Sequence, residues 1–196
     1  MAPISLEFIK ELREKTAVSI AECKAALEEA GGDIEKAVIV LRKRGIETAN
    51  SKSQRETKEG IVAYYVHTNN KVAAMLELYC ETDFVAKNAD FIALGKDLAM
   101  QIVAQNPKAV KPEDISASDL ETEKNIYREQ LAKSGKPADI VEKALEGKTA
   151  KFREESALLT QPFIKDQARK VEDIVNDVIA KVGENIQVGK FYRLQL

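Results

Sequence analysis

The predicted fold rests on residues 61–88, which read IVAYYVHTNNKVAAMLELYCETDFVAKN. It contains two runs rich in β-branched and aromatic residues, Ile61 to His67 and Val72 to Cys80, which are typical of strands. Two asparagines lie between the runs, and asparagine tolerates the left-handed backbone of a tight turn. After Thr82 the hydrophobic period becomes helical. We therefore predict a β-hairpin that leads directly into a helix.

The chain before the hairpin predicts three short helices and a linker. The first helix follows the N-cap residue Ser5, the second opens with a capping box at Ser19, and the third stops at Gly45. Together they would form a small helical bundle over residues 1–46. Residues 47–59 are polar and have no apolar periodicity, so we predict a linker there.

The chain beyond the hairpin predicts a mainly helical segment that ends in a strand. Four helices are expected over about residues 90–105, 118–132, 137–156 and 169–182, and the tail NIQVGKFYRLQL alternates like a strand. Ser118 and Glu121 have capping-box spacing, and Gly147 could break the third of these helices. Strands at both ends of a helical middle predict an α+β domain over residues 60–196, with a small antiparallel sheet and helices on one face. The predicted fold class is therefore α+β, with a three-helix bundle followed by this core domain.

The composition excludes several classes of protein. Among 196 residues there are 30 Lys and Arg against 32 Asp and Glu, for a net charge of −2, so we expect no direct nucleic-acid partner. Cys23 and Cys80 lack a zinc-site spacing and are expected to be reduced thiols. The start of the sequence lacks a targeting pattern, and no apolar run approaches the roughly 20 residues that span a bilayer. We expect a cytoplasmic protein without a membrane partner.

The residues that could carry out chemistry are few. His67 is the single histidine and has no accompanying Cys or Ser pattern, so a surface or packing role is expected. Gly147, Lys148 and Thr149 imitate the end of a phosphate-binding loop, but Glu142 stands where that motif needs its first glycine. We predict a protein that is not an enzyme and has neither a cofactor nor a metal site.

The most informative segment is ELYCETDFVAKN, residues 77–88, where a strand ends and a helix begins. Thr82 can cap this helix, and the charge of Asp83 would favour its N-terminal end. Phe84 and Val85 follow as a short apolar pair. Two interpretations remain open from these residues alone. Phe84 packs into the core, or it projects beside a carboxylate and enters a pocket on a partner.

Several segments resemble the family of bacterial translation elongation factor Ts, the guanine-nucleotide exchange factors of elongation factor Tu. The similarity covers nearly the whole chain and includes its two most characteristic regions. The matching segments are LREKTAVSIAECKAAL (residues 12–27), GGDIEKAVIVLRKRG (31–45), ELYCETDFVAKN (77–88), SGKPADIVEKALEGK (134–148) and QPF (161–163). The first two look like the ubiquitin-associated-like N-terminal module of that family.

The resemblance implies a mechanism and a set of site residues. Thr82 to Val85 would enter the GTPase domain of elongation factor Tu and displace its Mg²⁺, which promotes GDP release and lets GTP bind. Phe84 would be the anchor, Asp83 would disturb the magnesium site, and Thr82 and Val85 would support the corner. The resemblance also implies secondary contacts with the partner at Leu12, Thr16, Ile20, His67 and Lys96.

The resemblance also bears on assembly and on two departures from the family pattern. Only one copy of the core is present, as in the short members that pair into dimers, so a homodimer is expected. Ala17 replaces the usual glycine of the first helix junction, whose path is expected to differ, and Tyr79 replaces a common asparagine. An alternative function is a non-catalytic adaptor that binds peptides or ubiquitin-like proteins through the three-helix module.

Overall fold

The computed structural model describes residues 4–16, 18–132 and 137–196, so Ala17 and residues 134–136 of the resembling segments lie outside the described residues. Within those ranges the chain forms eight α-helices and five β-strands. In chain order they are α1 (Leu6–Thr16), α2 (Ile20–Glu29), α3 (Ile34–Lys52), β1 (Glu59–Val66), β2 (Val72–Cys80), α4 (Asp83–Ala86), α5 (Ala89–Gln105), α6 (Ala117–Ala132), α7 (Ala138–Ser156), β3 (Pro162–Phe163), β4 (Asp166–Lys170), α8 (Val171–Val182) and β5 (Gln187–Gln195). The predicted α+β class is confirmed, while the ubiquitin-associated-like label stays a prediction.

The main sheet has three strands in the order β1-β2-β5. β1 and β2 form the predicted hairpin, in which the His67 N–H donates to the Val72 carbonyl at 2.9 Å and Asn70 has a φ of 55°. The Leu196 N–H donates to the Lys71 carbonyl at 2.9 Å, so β5 ends beside the start of β2 and the two strands run antiparallel. β3 and β4 form a second antiparallel pair. Two-residue β3 is too short to give a sequence pattern, and this pair was not predicted.

The chain divides into two compact units. The first consists of the described residues of Met1–Ala63, Glu77–Gly95 and Asp173–Val188, and the second of those of Tyr64–Leu76, Lys96–Glu172 and Gly189–Leu196. The division into domains 1–46 and 60–196 stays a prediction. The strand-to-helix segment that the sequence singles out belongs to the first unit.

The N-terminal helices pack around a small apolar cluster. Its buried members are Ile9, Leu12, Cys23, Ala26, Leu27, Ala37 and Leu41. Ser19 is the N-cap of α2, because its Oγ accepts from the Glu22 N–H at 3.3 Å and donates to the Glu22 carboxylate at 3.0 Å. Gly31 and Gly32 follow the C-terminal end of α2 and have φ values of 65° and 85°. These positive φ values explain why glycine stands at both positions.

The third helix is longer than the sequence predicts. We expected it to stop at Gly45 and expected a linker over residues 47–59, but α3 continues to Lys52. Gly45 is buried within the helix, and a Cβ there would lie 3.7 Å from the Cβ of Ala180 on α8. Gly45 therefore faces α8 from inside a continuous helix and does not end α3.

Two further details of the helices correct the prediction. Ser116 caps α6, because its Oγ accepts from the Asp119 N–H at 3.1 Å. Ser118 was expected in that role and lies inside the helix. α7 runs through Gly147 without a break. Among the described residues, no helix has both the length and the apolar character that crossing a membrane requires.

Candidate functional site

The segment from Cys80 to Asn88, which we call the corner, connects β2 to α5 through the four-residue helix α4. Thr82 is the N-cap of α4, as predicted, and its Oγ1 accepts from the Val85 N–H at 3.5 Å. The Ala86 N–H donates to the Thr82 carbonyl at 3.2 Å. Thr82 thus supplies the acceptors for two N–H groups of the first helical turn.

The corner presents Phe84 and hides the residue beside it. The Phe84 side chain is 82% exposed, whereas Val85 is 8% exposed and Ala86 is 9% exposed. Of the two interpretations left open by the sequence, the projecting ring is therefore the one observed. Ile92, near the start of α5, is 48% exposed. The exposed ring of Phe84 offers an apolar surface to a partner, while buried Val85 anchors the corner in the core.

The carboxylate beside the ring has its own partner. The Lys87 Nζ lies 2.7 Å from the Asp83 Oδ2, one helical turn away along the chain. The hydrogen bond and the charge of Lys87 lower the pKa of the Asp83 carboxyl below its usual value. The same contact raises the pKa of the Lys87 ammonium group. Asp83 is thus an ionised, exposed group whose charge is compensated in the unbound protein.

A residue from the C-terminal part of the chain binds the corner directly. The Glu184 Oε2 accepts from the Glu81 N–H at 3.1 Å and from the Thr82 N–H at 3.0 Å. The Glu184 Oε1 accepts from the Thr82 hydroxyl at 2.6 Å. Glu184 is not predictable from the sequence, because no spacing pattern relates two residues that are 102 positions apart.

Two further contacts surround this arrangement. The Asn185 N–H donates to the Glu81 carboxylate at 2.7 Å, so the two segments hold each other reciprocally. The Cys80 thiol donates to the Thr82 carbonyl at 3.2 Å. Burial, with a smaller effect from the charge of Glu184, raises the pKa of the Cys80 thiol to about 11. Cys80 is therefore a protonated structural donor near neutral pH.

A polar groove adjoins the corner within the first unit. Its volume is about 470 Å³, and it is lined by Arg13, Val18, Ser19, Ile20, Asn88, Asp90, Lys181 and Val182. The α1–α2 junction and the start of α5 therefore border the same depression. Lys181 and Asp90 form an ion pair across 2.6 Å. Ile20 is 57% exposed and gives the rim of the groove an apolar contact point.

The residues expected to make secondary contacts with the partner have different environments. Leu12 has no exposed surface, so the expectation that it contacts a partner is wrong and it belongs to the helical core. Thr16 is half-buried, and its hydroxyl donates to the Leu12 carbonyl at 2.7 Å. His67 is exposed, with the Tyr65 hydroxyl 3.3 Å from its Nδ1. Lys96 is exposed on α5. His67 and Lys96 belong to the second unit.

The described residues offer no metal centre. Within them, no three His, Cys, Asp or Glu side chains lie together as potential ligands of an ion. The acidic groups of the corner are instead used in hydrogen bonds and in the contact with Lys87. The arrangement is suited to binding a partner through a rigid, exposed ring.

Comparison with known proteins gives one consistent result. The sequence model of the family described as Elongation factor TS matches residues 7–178. The chain is 53% identical over 190 residues to an elongation factor Ts of Thermosipho melanesiensis, covering 97% of each chain. It is 50% identical over 193 residues to one from Fervidobacterium nodosum, covering 98% of each. A third relative, from Oleidesulfovibrio alaskensis, is 50% identical over 196 residues, which cover 100% of this chain and 99% of that protein.

Proposed function

The chain belongs to the elongation factor Ts family, and we propose that it is a guanine-nucleotide exchange factor. It would bind the GDP-bound form of elongation factor Tu and promote the release of GDP. GTP can then bind to the emptied site, and translation elongation continues in the cytoplasm. The observation that carries this proposal is the projecting ring of Phe84 on a capped corner.

The proposed activity needs no covalent chemistry. An exchange factor must bind the nucleotide-free partner better than the nucleotide-bound one, and linkage makes this effect reciprocal. Nucleotide that returns to the partner therefore expels the factor. Accelerating GDP release a thousandfold requires lowering its barrier by about 4 kcal/mol, which a few well-placed contacts can supply.

The corner would act on the Mg²⁺ site of the partner. Phe84 fills a pocket in the GTPase domain, and Asp83 arrives beside it to repel or redirect the ligands of the ion. Once Mg²⁺ is displaced, the charge of the diphosphate is less compensated and GDP dissociates faster. The pair of Asp83 and Lys87 supports this assignment, since the carboxylate is ionised before contact and exposed enough to change partners.

A second contact would come from the α1–α2 junction. Ile20 is the most suitable residue there because its side chain is 57% exposed, while Thr16 fixes the end of α1 through its bond to Leu12. Exposed apolar side chains at a binding surface contribute most when a partner removes them from water. We assign His67 and Lys96 to weaker contacts with other domains of elongation factor Tu.

A homodimer is supported by the outward face of the sheet in the second unit. Alternate positions on its strands carry apolar side chains that are 52% or more exposed: Tyr64, Val66, Met75, Tyr192 and Leu194. Such a contiguous apolar face is typical of an interface, and a second copy of the same sheet offers the matching surface.

The oligomeric state tests this part of the proposal. Sedimentation of the full chain is expected to give twice the monomer mass of 21.7 kDa. Tyr64→Lys combined with Leu194→Lys is expected to give monomers, because two buried charges would face each other without partners. Ile140→Lys is the matched control, since Ile140 is an exposed apolar residue on α7. A monomeric wild-type protein would contradict the dimer.

The exchange activity itself is tested by release of labelled GDP from elongation factor Tu. The wild-type protein is expected to accelerate release strongly, and Phe84→Ala is expected to lose most of that acceleration, on the order of a hundredfold, or about 2.7 kcal/mol of barrier. Ile126→Ala removes another exposed apolar side chain, one on α6, and is expected to leave the rate unchanged. Full activity of Phe84→Ala would contradict the role of the corner.

A further inference from the structure

We infer that Glu184 is a positioning residue for nucleotide exchange, which holds the corner in the orientation that presents Phe84. This inference rests on the proposed function and adds to it a residue from the segment between α8 and β5. Glu184 is half-buried and would act through Thr82 instead of touching the nucleotide site of the partner.

Glu184 binds two backbone N–H groups at the junction between β2 and α4. Those of Glu81 and Thr82 come after Cys80, the last residue of β2, and before the first residue of α4. Backbone N–H groups at such a junction need an acceptor from elsewhere in the molecule. One carboxylate oxygen of Glu184 accepts both of them, at 3.1 and 3.0 Å. The direction in which the chain leaves β2 is therefore fixed by Glu184.

Glu184 also orients the Thr82 hydroxyl. It donates its proton to the Glu184 Oε1 at 2.6 Å, so its lone pairs remain available to the Val85 N–H. A single helical turn is unstable without such stabilisation, because nucleating a helix is costly. Glu184 thus selects the Thr82 rotamer that caps α4, and α4 carries Phe84.

The chain on both sides of Glu184 is itself held in place. Gly183 ends α8 with a φ of 77°, and its N–H donates to the Ile179 carbonyl at 2.9 Å. On the other side, the Asn185 side chain donates to the carbonyl of Arg55 at 2.8 Å. The Asn185 N–H also bonds to Glu81 at 2.7 Å. Glu184 is therefore a fixed support against which the corner is placed.

The experiment measures GDP release from elongation factor Tu over a range of factor concentrations. In Glu184→Ala we expect the maximal rate to fall about tenfold, because the ring is presented in a wider range of orientations. The half-saturating concentration is expected to change less than about threefold, since the other contacts remain. Glu184→Gln keeps one carbonyl acceptor and is expected to recover most of the rate. Glu47→Ala, on the exposed side of α3, is the matched control.

A second measurement needs no partner. Amide hydrogen exchange at Glu81, Thr82 and Val85 is expected to accelerate at least about tenfold in Glu184→Ala and to stay unchanged in the control. If Glu184→Ala does not fold, Glu184→Asp decides both measurements. Its carboxylate is one methylene too short for all three bonds, so a lowered maximal rate and faster exchange are again expected.

The outcomes separate the two claims. Absence of stimulated GDP release by the wild-type protein would contradict the proposed function. Unchanged hydrogen exchange at the corner of Glu184→Ala or Glu184→Asp would overturn the positioning role, whatever the result with elongation factor Tu. An unchanged maximal rate in Glu184→Ala or Glu184→Asp, when the wild-type protein stimulates release, would overturn it as well.

Discussion

Phe84 on α4 and Phe91 on α5 lie close together in the chain and have opposite environments, with exposures of 82% and 0%. Phe84 is the second residue of its helix, and Phe91 is the third residue of the next one. Val85, the third residue of α4, is buried like Phe91. Since one residue turns a helix by about 100°, the position counted from the cap decides whether a ring faces the core or the solvent.

The helix caps of α4 and α5 explain why one ring is exposed and the other is buried. Thr82 caps α4 through the Val85 N–H, and Asn88 binds the Asp90 N–H at 2.8 Å at the start of α5. Each cap turns one apolar side chain inward. The residue that the first cap leaves outside is Phe84, which can be changed with little effect on the core.

The largest expected effect is the loss of the buried ring. Phe91→Ala is expected to lower the free energy of unfolding by about 3–5 kcal/mol, because it removes a buried ring and leaves a cavity. Phe84→Ala is expected to change it by less than about 0.5 kcal/mol, as is usual at exposed positions. Urea denaturation followed by circular dichroism measures both values. Equal losses from the two substitutions would contradict this assignment of roles.

The sequence predicted the cap and the corner but could not orient Phe84. Periodicity assigns a face only when a helix is several turns long, and α4 has four residues. The resemblance to a family supplied the direction that the pattern lacked. Glu184 was not predicted at all, because its contact with Thr82 depends on how distant segments meet.

The next effect concerns the packing of α5 on the first unit. A Cβ at Gly95 would lie 2.8 Å from the Cβ of Ala63 and 3.2 Å from the Cδ1 of Ile61. Gly95→Ala is therefore expected to lower the free energy of unfolding by about 1–2 kcal/mol, although alanine favours helix by about 1 kcal/mol.

Gly147 provides the matched control in α7. A Cβ there has no neighbour within 4 Å, so Gly147→Ala is expected to raise the free energy of unfolding by about 0.5–1 kcal/mol. Urea denaturation of both variants measures the difference. Stabilisation by both substitutions would show that α5 does not need its glycine for packing.

These glycines also explain where the sequence prediction of the helices was wrong. Gly45 was expected to stop α3, and Gly147 was considered as a break, yet both lie inside continuous helices. A glycine marks a helix end only where positive φ is needed, as at Gly183 with 77°. Gly45 instead faces the Cβ of Ala180, a neighbour that the sequence does not reveal.

A smaller effect is expected from the cap itself. Thr82→Val keeps the shape of the side chain but removes the bonds to the Val85 N–H and to the Glu184 carboxylate. We expect a loss of about 1 kcal/mol in the free energy of unfolding. Thr122→Val is the control, because Thr122 is exposed on α6 and its hydroxyl bonds to the Ser118 carbonyl of the same helix. Equal stability of Thr82→Val and the wild type would show that the cap is dispensable.

The smallest effect concerns the charge beside the exposed ring. Lys87→Ala removes the partner of Asp83, so the pKa of the Asp83 carboxyl is expected to rise toward its ordinary value of 3.8. Because the folded-state pKa is lowered, the pair stabilises the folded protein above about pH 4, and this contribution disappears as the pH falls through that lowered pKa. Both groups are exposed, so the stability difference is expected to be small and to shrink with salt.

NMR titration of the Asp83 carboxyl carbon in the wild type and in Lys87→Ala measures this shift directly. Lys151→Ala is the matched control, because Lys151 pairs with Glu155 at 3.4 Å on α7 with the same four-residue spacing. An Asp83 titration that is identical in all three proteins would show that Lys87 leaves the carboxylate alone. In that case the charge of the Asp83 carboxylate would not be compensated in the isolated protein. Burial alone would then distinguish the surroundings of Phe84 from those of Phe91.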